Sequence, residues 1–109
     1  MGTRLAGVEV HLPERRVGSA EVERRIAPYT PPRGVVHRLT GITTRHVAGP
    51  DEQASDLAAA AARKLLAGTG TAASDVDLLI FASASQDMVE PATAHIVAAK
   101  LELGCPVMD

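Results

Sequence analysis

The stretch VDLLIFASAS, residues 76–85, constrains the fold more than any other part of the chain. A strand with one wet face alternates polar and apolar side chains. The unbroken apolar run from Leu78 to Ala82 instead suits a strand covered on both faces, as in the parallel sheet of an α/β layer structure. Helical signals flank it. DEQASDLAAAAARKLLAG, residues 51–68, is acidic at its start, carries Arg63 and Lys64 further on, is rich in Ala and Leu, and closes on Gly68. These features predict a helix whose ends match its dipole. After the apolar run, Pro91 sits where a first helical turn tolerates proline, and ATAHIVAAKLEL, residues 92–103, continues to Gly104. CPVMD, residues 105–109, begins another extended segment.

Upstream, RLAGVEVHL, residues 4–12, is apolar and partly β-branched and is stopped by Pro13, so it reads as a strand. GSAEVERRIA, residues 18–27, reads as a helix with Ser19 placed to cap it and Glu21 and Glu23 in its first turn. Val22 follows Ser19 by three, so the reciprocal capping box is absent. APYTPPRG, residues 27–34, holds three of the seven prolines and is a loop, and GITTRHVA, residues 41–48, is a strand or extended arm. The order βα(β)αβαβ predicts an α/β fold with a mostly parallel sheet. No repeat, low-complexity tract or linker interrupts residues 1–109, which read as one domain.

Composition limits the partners. A chain of 109 residues buries about 60 to 70% of its unfolded surface, enough for a modest core. With no Trp, one Tyr and one Phe, that core is made of Ala, Val, Leu and Ile. A net charge of −2 gives no electrostatic case for nucleic acid or an anionic membrane. The single cysteine excludes an internal disulfide and a multi-cysteine zinc site. The first sixteen residues hold no apolar run long enough for a signal peptide or membrane span, so a soluble cytoplasmic protein is expected.

The short motifs are weak when taken singly. GTG at residues 68–70 follows a helix and reads as helix termination, not a phosphate cradle. His11, His37, His46 and His95 lack metal-ligand spacing. Ser83 and Ser85 close a strand outside any nucleophile elbow. Cys105, at a helix end and before Pro106, reads as a buried, inert thiol. Glu90 precedes Pro91 at the helix start, where a negative charge gains about 0.3–1 kcal/mol from the dipole. On the residues alone, that structural role stands beside a catalytic one.

Several segments in order resemble one family. LAGVEVHLPERRV is similar to the opening strand and turn of the ketoacyl synthase III branch of the thiolase-fold condensing enzymes. LTGITTRHVA resembles their TGI-x-x-R segment, here Thr40, Gly41, Ile42 and Arg45. QASDLAAAAARKLL, VDLLIFASAS and GCPVMD resemble the helix, strand and next strand that follow. The pattern from Ser83 to Val97, S-x-S-x-D-x-x-EP-x-T-A-x-IV, is similar to the subgroup that joins two acyl-CoAs head to head in olefin and β-lactone pathways.

The resemblance implies a partial thiolase-like α/β fold, the first part of the N-terminal of two related halves. It implies acyl-CoA, and an acyl carrier protein, as partners, with coenzyme A thioesters as substrates and no resident cofactor or metal. It further implies a homodimer or heterodimer through the sheet edge. Glu90 falls where the subgroup carries a general base that serves the neighbouring subunit's active site, removing an α-proton so that the carbanion attacks a cysteine-bound thioester. A decarboxylating synthase III needs no such base. The family's nucleophilic cysteine, and its His and Asn, would lie past Asp109, and Cys105 aligns with a non-catalytic position. Val35 and Leu39 stand where typical synthase III enzymes place Trp and Arg to grip coenzyme A.

Without that nucleophile the isolated chain is expected to form no acyl-enzyme. Radiolabelled acyl-CoA followed by a denaturing gel should leave no thioester-linked label, and specific label on Cys105 would overturn the assignment.

Overall fold

The computed structural model describes residues 2–26 and 28–109, which form two compact units, Leu12–Asp51 and a second built from Met1–His11 and Glu52–Asp109. Ala27, the end of the expected first helix and the start of the expected loop, lies outside the described residues.

In the Leu12–Asp51 unit, strand β1 (Arg16–Gly18) leads directly into helix α1 (Ser19–Arg25); helix α2 (Val35–Thr40) and strand β2 (Thr44–His46) follow. The two strands pair antiparallel with Val17 opposite Arg45, and Val17 is buried. Flanking bonds from Val47 N–H to Arg15 O and from Ser19 N–H to Thr43 O, both 2.9 Å, lengthen the ladder. Within segment 41–48, Thr44–His46 forms the expected strand, but its pairing is antiparallel.

The strand expected over residues 4–12 is not formed. Leu5, Val8, Val10 and Leu12 are each more than half exposed, and no ladder partner meets them among the described residues. A strand is defined by its partner, and the partner, β2, meets residues 16–18 beyond Pro13. Residues 4–11 belong to the second unit and run against its first helix, described below.

Two readings of α1 are also corrected. Ser19 is its first helical residue, not its cap: Gly18 holds the N-cap position without a side-chain bond, and the Ser19 hydroxyl donates to Ile42 O. Glu23 lies past the first turn, where only Glu21 stands, and serves α2. Its Oε2 accepts the Gly34 N–H at 2.9 Å and its Oε1 the Val36 N–H at 2.8 Å. Gly34 and Gly41, both left-handed, bracket α2, whose start has no side-chain cap of its own. The carboxylate supplies what that helix start lacks.

In the other unit, α3 (Ala54–Thr69) starts three residues later and ends one residue later than expected: Gln53 is its N-cap, Gly68 is helical, and left-handed Gly70 ends the helix by donating to Ala67 O. At its start, Asp56 Oδ2 accepts the Gln53 N–H at 2.9 Å, the return arm of a capping box. A 3₁₀ turn (Ala73–Asp75) leads to strand β3 (Leu79–Ile80), helix α4 (Thr93–Leu101) and strand β4 (Val107–Met108). β3 and β4 are parallel, Leu79 opposite Val107, with α4 as the crossover. The expected parallel α/β core is therefore present in its shortest form.

The core lies between α3 and α4: Ala59, Val97 and Leu101 are buried, with Ala58, Ala62, Leu79, Phe81 and Leu103 packed around them. α4 buries Thr93, Ala94, Val97, Ala98 and Leu101, a stripe at helical spacing. Gly7 of segment 4–12 packs on α3 so closely that a Cβ there would sit 2.9 Å from Leu65 Cδ1, and Lys64 Nζ donates to Val10 O. Cover on both faces of residues 76–85 is not observed: Leu78 and Ile80 are about half exposed or more. Among the described residues only the α4 side is packed.

The Lys100 ammonium, in the last turn of α4, bonds Ser55 Oγ and Asp56 Oδ1, each at 2.6 Å, joining the two helices end to start. That bond, helped by the Gln53 N–H, holds the Asp56 carboxyl below its usual range.

The Gly34 and Val36 N–H groups, with Arg33 and Arg38 nearby, likewise lower the Glu23 carboxyl from its ordinary 4.5. A folded-state pKa below the unfolded one adds stability that is fully present above about pH 4.5 and is lost as the pH falls through the lowered value. Glu23→Gln, which keeps one acceptor oxygen, should be less stable at pH 7 and should lose less on acidification. Parallel unfolding-versus-pH curves for the two proteins would show that the carboxylate does not hold α2.

Candidate active-site loop

The residues singled out for chemistry gather between β3 and α4. Segment 81–92 leaves the carboxyl end of β3, where open parallel sheets present their ligand sites. Ser83 and Ser85 are exposed and bond each other, Oγ to Oγ at 3.2 Å. A cavity of about 340 Å³ opens there, lined by Ile80, Phe81, Ala82, Ser83, Gln86 and Met108 with Asp109.

Asp87 anchors the loop. Its Oδ1 accepts the Ser55 N–H in the first turn of α3 at 3.0 Å, and its own N–H donates to Thr93 Oγ1 at 3.2 Å. Sequence reasoning passed over Asp87 because its partner Ser55 is distant in the chain; the only signal was an aspartate within the Ser83–Val97 pattern. Asp109 was also missed: its Oδ1 accepts the Ala94 N–H at 2.6 Å and so satisfies the start of α4.

Glu90 stands differently from its expected place. α4 begins at Thr93 with Ala92 as its N-cap residue, so Pro91 is outside the helix and Glu90 is not in its first turn. The helix-start role expected for Glu90 is therefore corrected: Asp109 Oδ1 meets the Ala94 N–H at the start of α4 instead. Glu90 is exposed, is joined to the following Pro91 by a cis peptide bond, and its carboxylate forms no hydrogen bond or ion pair among the described residues. Exposed Met88 and Val89 precede it.

The other candidates lie elsewhere. Cys105 is half-buried, not buried, because it precedes β4 and lines an open cleft of about 310 Å³ with Ala73, Ser74, Val76, Asp77, Gly104 and Pro106. It stands at the opposite end of β4 from the cavity beside Asp109. Val35 and Leu39 are on α2 in the Leu12–Asp51 unit, and Leu39 is largely exposed. No group of three or more His, Cys, Asp or Glu side chains suited to a metal occurs among the described residues. No helix among them is long and apolar enough to cross a membrane.

No protein-family model matches the chain. It is 39% identical over 108 residues to the β-ketoacyl-[acyl-carrier-protein] synthase III of Neisseria meningitidis, spanning 97% of this chain and 33% of that protein. It is 41% identical over 109 residues to the synthase III of Thiobacillus denitrificans, spanning 98% and 33%. Among solved structures, Xanthomonas campestris OleA with cerulenin bound superposes with a TM-score of 0.81 at 32% identity, covering 95% of this chain and 32% of that one. The chain is homologous to part of a synthase III-like condensing enzyme of the thiolase superfamily. It spans about a third of the length of the curated relatives it matches. Its α/β architecture is a partial thiolase-like fold, as the order of segments implied. OleA has also been solved with a glutamate replaced by glutamine and with a histidine replaced by asparagine.

Because Glu90 is exposed, unpaired and outside the helix, Glu90→Gln should change the stability of this fold by less than about 0.5 kcal/mol. Thermal unfolding of the two proteins checks this, and a drop of several degrees would assign Glu90 a structural role.

Proposed function

We propose that this chain is the N-terminal part of a thiolase-fold acyltransferase that joins two acyl-CoAs head to head without decarboxylation, with Glu90 as the base. The observation that carries the reading is the free carboxylate of Glu90 on an exposed loop whose other carboxylate, Asp87, is committed to holding the fold. A residue with no task in its own chain, flanked by exposed Met88 and Val89, suits work on a neighbouring subunit's substrate. The likeness to OleA supports the same choice.

In this reading a cysteine past Asp109 attacks one acyl-CoA carbonyl and expels the coenzyme A thiolate, leaving an acyl thioester on the enzyme. The Glu90 carboxylate of the partner subunit then takes an α-proton from the second acyl group. The carbanion attacks the enzyme-bound thioester, forming the carbon-carbon bond and releasing the cysteine thiolate. Water hydrolyses the remaining thioester to give a β-keto acid. Coenzyme A enters as part of the substrate, and the usual adenine grip is replaced, since Val35 and Leu39 offer neither an indole nor a guanidinium.

The second reading is a decarboxylating β-ketoacyl-ACP synthase III, favoured by the names of the sequence relatives. It would draw its carbanion from a malonyl group on a carrier protein and leave Glu90 without a catalytic task. A non-catalytic partner subunit is the third, and an in-frame continuation carrying a cysteine soon after Asp109 would dispose of it.

In the complete enzyme, Glu90→Gln should leave acylation of the cysteine intact and slow carbon-carbon bond formation by roughly 10² to 10⁴. Mixing this variant with one lacking the cysteine should restore activity in heterodimers that pair an intact glutamate with an intact cysteine. Condensation of acyl-CoA by Glu90→Gln at the wild-type rate would sink the head-to-head reading.

A further inference from the structure

The loop that carries Glu90 is closed at its base by a single residue. Asp87 N–H donates to Thr93 Oγ1 at 3.2 Å, which ties the two ends of residues 88–92 together with Glu90 in the middle. Through its carboxylate the same residue reaches the Ser55 N–H at 3.0 Å in the first turn of α3. Both partners, Ser55 and Thr93, are fully buried, and each lies in the first turn of a helix that contributes to the core. One half-buried aspartate thus fixes an otherwise exposed loop to two rigid elements.

We propose that Asp87 is the positioning residue for Glu90, holding the 88–92 loop where the glutamate can meet an acyl α-proton. The proposal rests on the general-base reading of Glu90. A carboxylate base works only within hydrogen-bond reach of the proton it removes. On an exposed loop with no bond of its own, Glu90 can owe its placement only to the loop's anchors. Asp109, bonded to the Ala94 N–H, fixes the start of α4 itself but does not close the 88–92 segment. A purely structural Asp87 would instead be one more helix cap, and its loss would weaken every activity in proportion to folded protein.

The test uses the complete enzyme and three readouts: acylation of the cysteine, exchange of acyl-CoA α-protons for solvent deuterium, and amide hydrogen exchange over residues 86–92. Asp87→Ala should slow α-proton exchange and condensation roughly 10- to 100-fold through misplacement of the base. It should leave acylation within about twofold, since that step uses no base at this position, and it should speed amide exchange in the loop. Both variants keep the backbone N–H that meets Thr93, so Asp87→Ala severs only the Ser55 anchor; Asp87→Asn keeps an acceptor oxygen for Ser55 and should restore most of the lost rate. If Asp87→Ala does not fold, Thr93→Val, which removes the hydroxyl that closes the loop, gives the same selective loss. The positioning role is overturned alone if Glu90→Gln abolishes α-proton exchange while Asp87→Ala leaves it at the wild-type rate. It is likewise overturned if acylation falls as far as exchange, or if loop amide protection is unchanged. If Glu90→Gln itself exchanges α-protons at the wild-type rate, the general-base reading fails and the positioning role goes with it.

Discussion

The first N–H groups of a helix have no partner within it, and this chain meets that demand with carboxylates brought from distant segments. Glu23 serves the start of α2, Asp87 the start of α3 and Asp109 the start of α4. Each of these bonds satisfies a donor and also fixes where one segment stands against another. α2 is short and follows a proline-rich loop, so by itself it would be marginal. Its position within the Leu12–Asp51 unit depends on Glu23 reaching across from α1. In the other unit, Asp87 ties the β3–α4 loop to α3, and Asp109 ties the end of β4 to α4.

The carboxylates can reach because the helices approach closely. α3 meets α4 through Ala59, with Ala58 and Ala62 beside it, and such small side chains let Val97 and Leu101 fill the space between. Full burial of a side chain such as Val97 is worth about 1.5–3 kcal/mol, the scale of one secure anchor in so small a core. Lys100 adds direction: its ammonium suits the carboxyl end of α4 and finds Ser55 and Asp56 at the amino end of α3. The two helices are thereby held in one relative sense.

This division between local and distant interactions decides what the sequence could reveal. α3 and α4 announce themselves through composition and helical spacing, and their limits were misjudged by one to three residues at each end. Parallel pairing around α4 was legible because an apolar run, a helix and a second extended segment occur in that order. β1 was not, because Arg16–Gly18 carries no strand-like pattern and exists through its pairing with Thr44–His46. α2 was hidden for a similar reason: Val35–Thr40 follows two prolines and a glycine, and its cap is on another helix. The apolar stretch 4–12 misled in the other direction, since apolar side chains without a ladder partner do not make a strand. Of the candidate site, Glu90 was singled out by pattern. Asp87 and Asp109 were not, since each acts on a backbone group 15 or more positions away.

The same accounting separates Glu90 from the other acidic residues. Exposure does not, since Glu9, Glu14 and Glu102 are exposed as well. Commitment narrows the field: Glu23, Asp56, Asp87 and Asp109 are each occupied by backbone or lysine donors, and a carboxylate so occupied is poorly placed to take a proton from a substrate. Place narrows it further. Glu90 is an uncommitted carboxylate on a loop at the carboxyl end of a parallel strand, and that loop is closed by bonds to buried partners. Under the proposed reading, the anchored loop and the unpaired acid beside exposed Met88 and Val89 serve one task, holding a base ready for a substrate. Firm support beneath a free functional group is the arrangement general-base catalysis requires, because its rate depends on where the base stands more than on how strong it is.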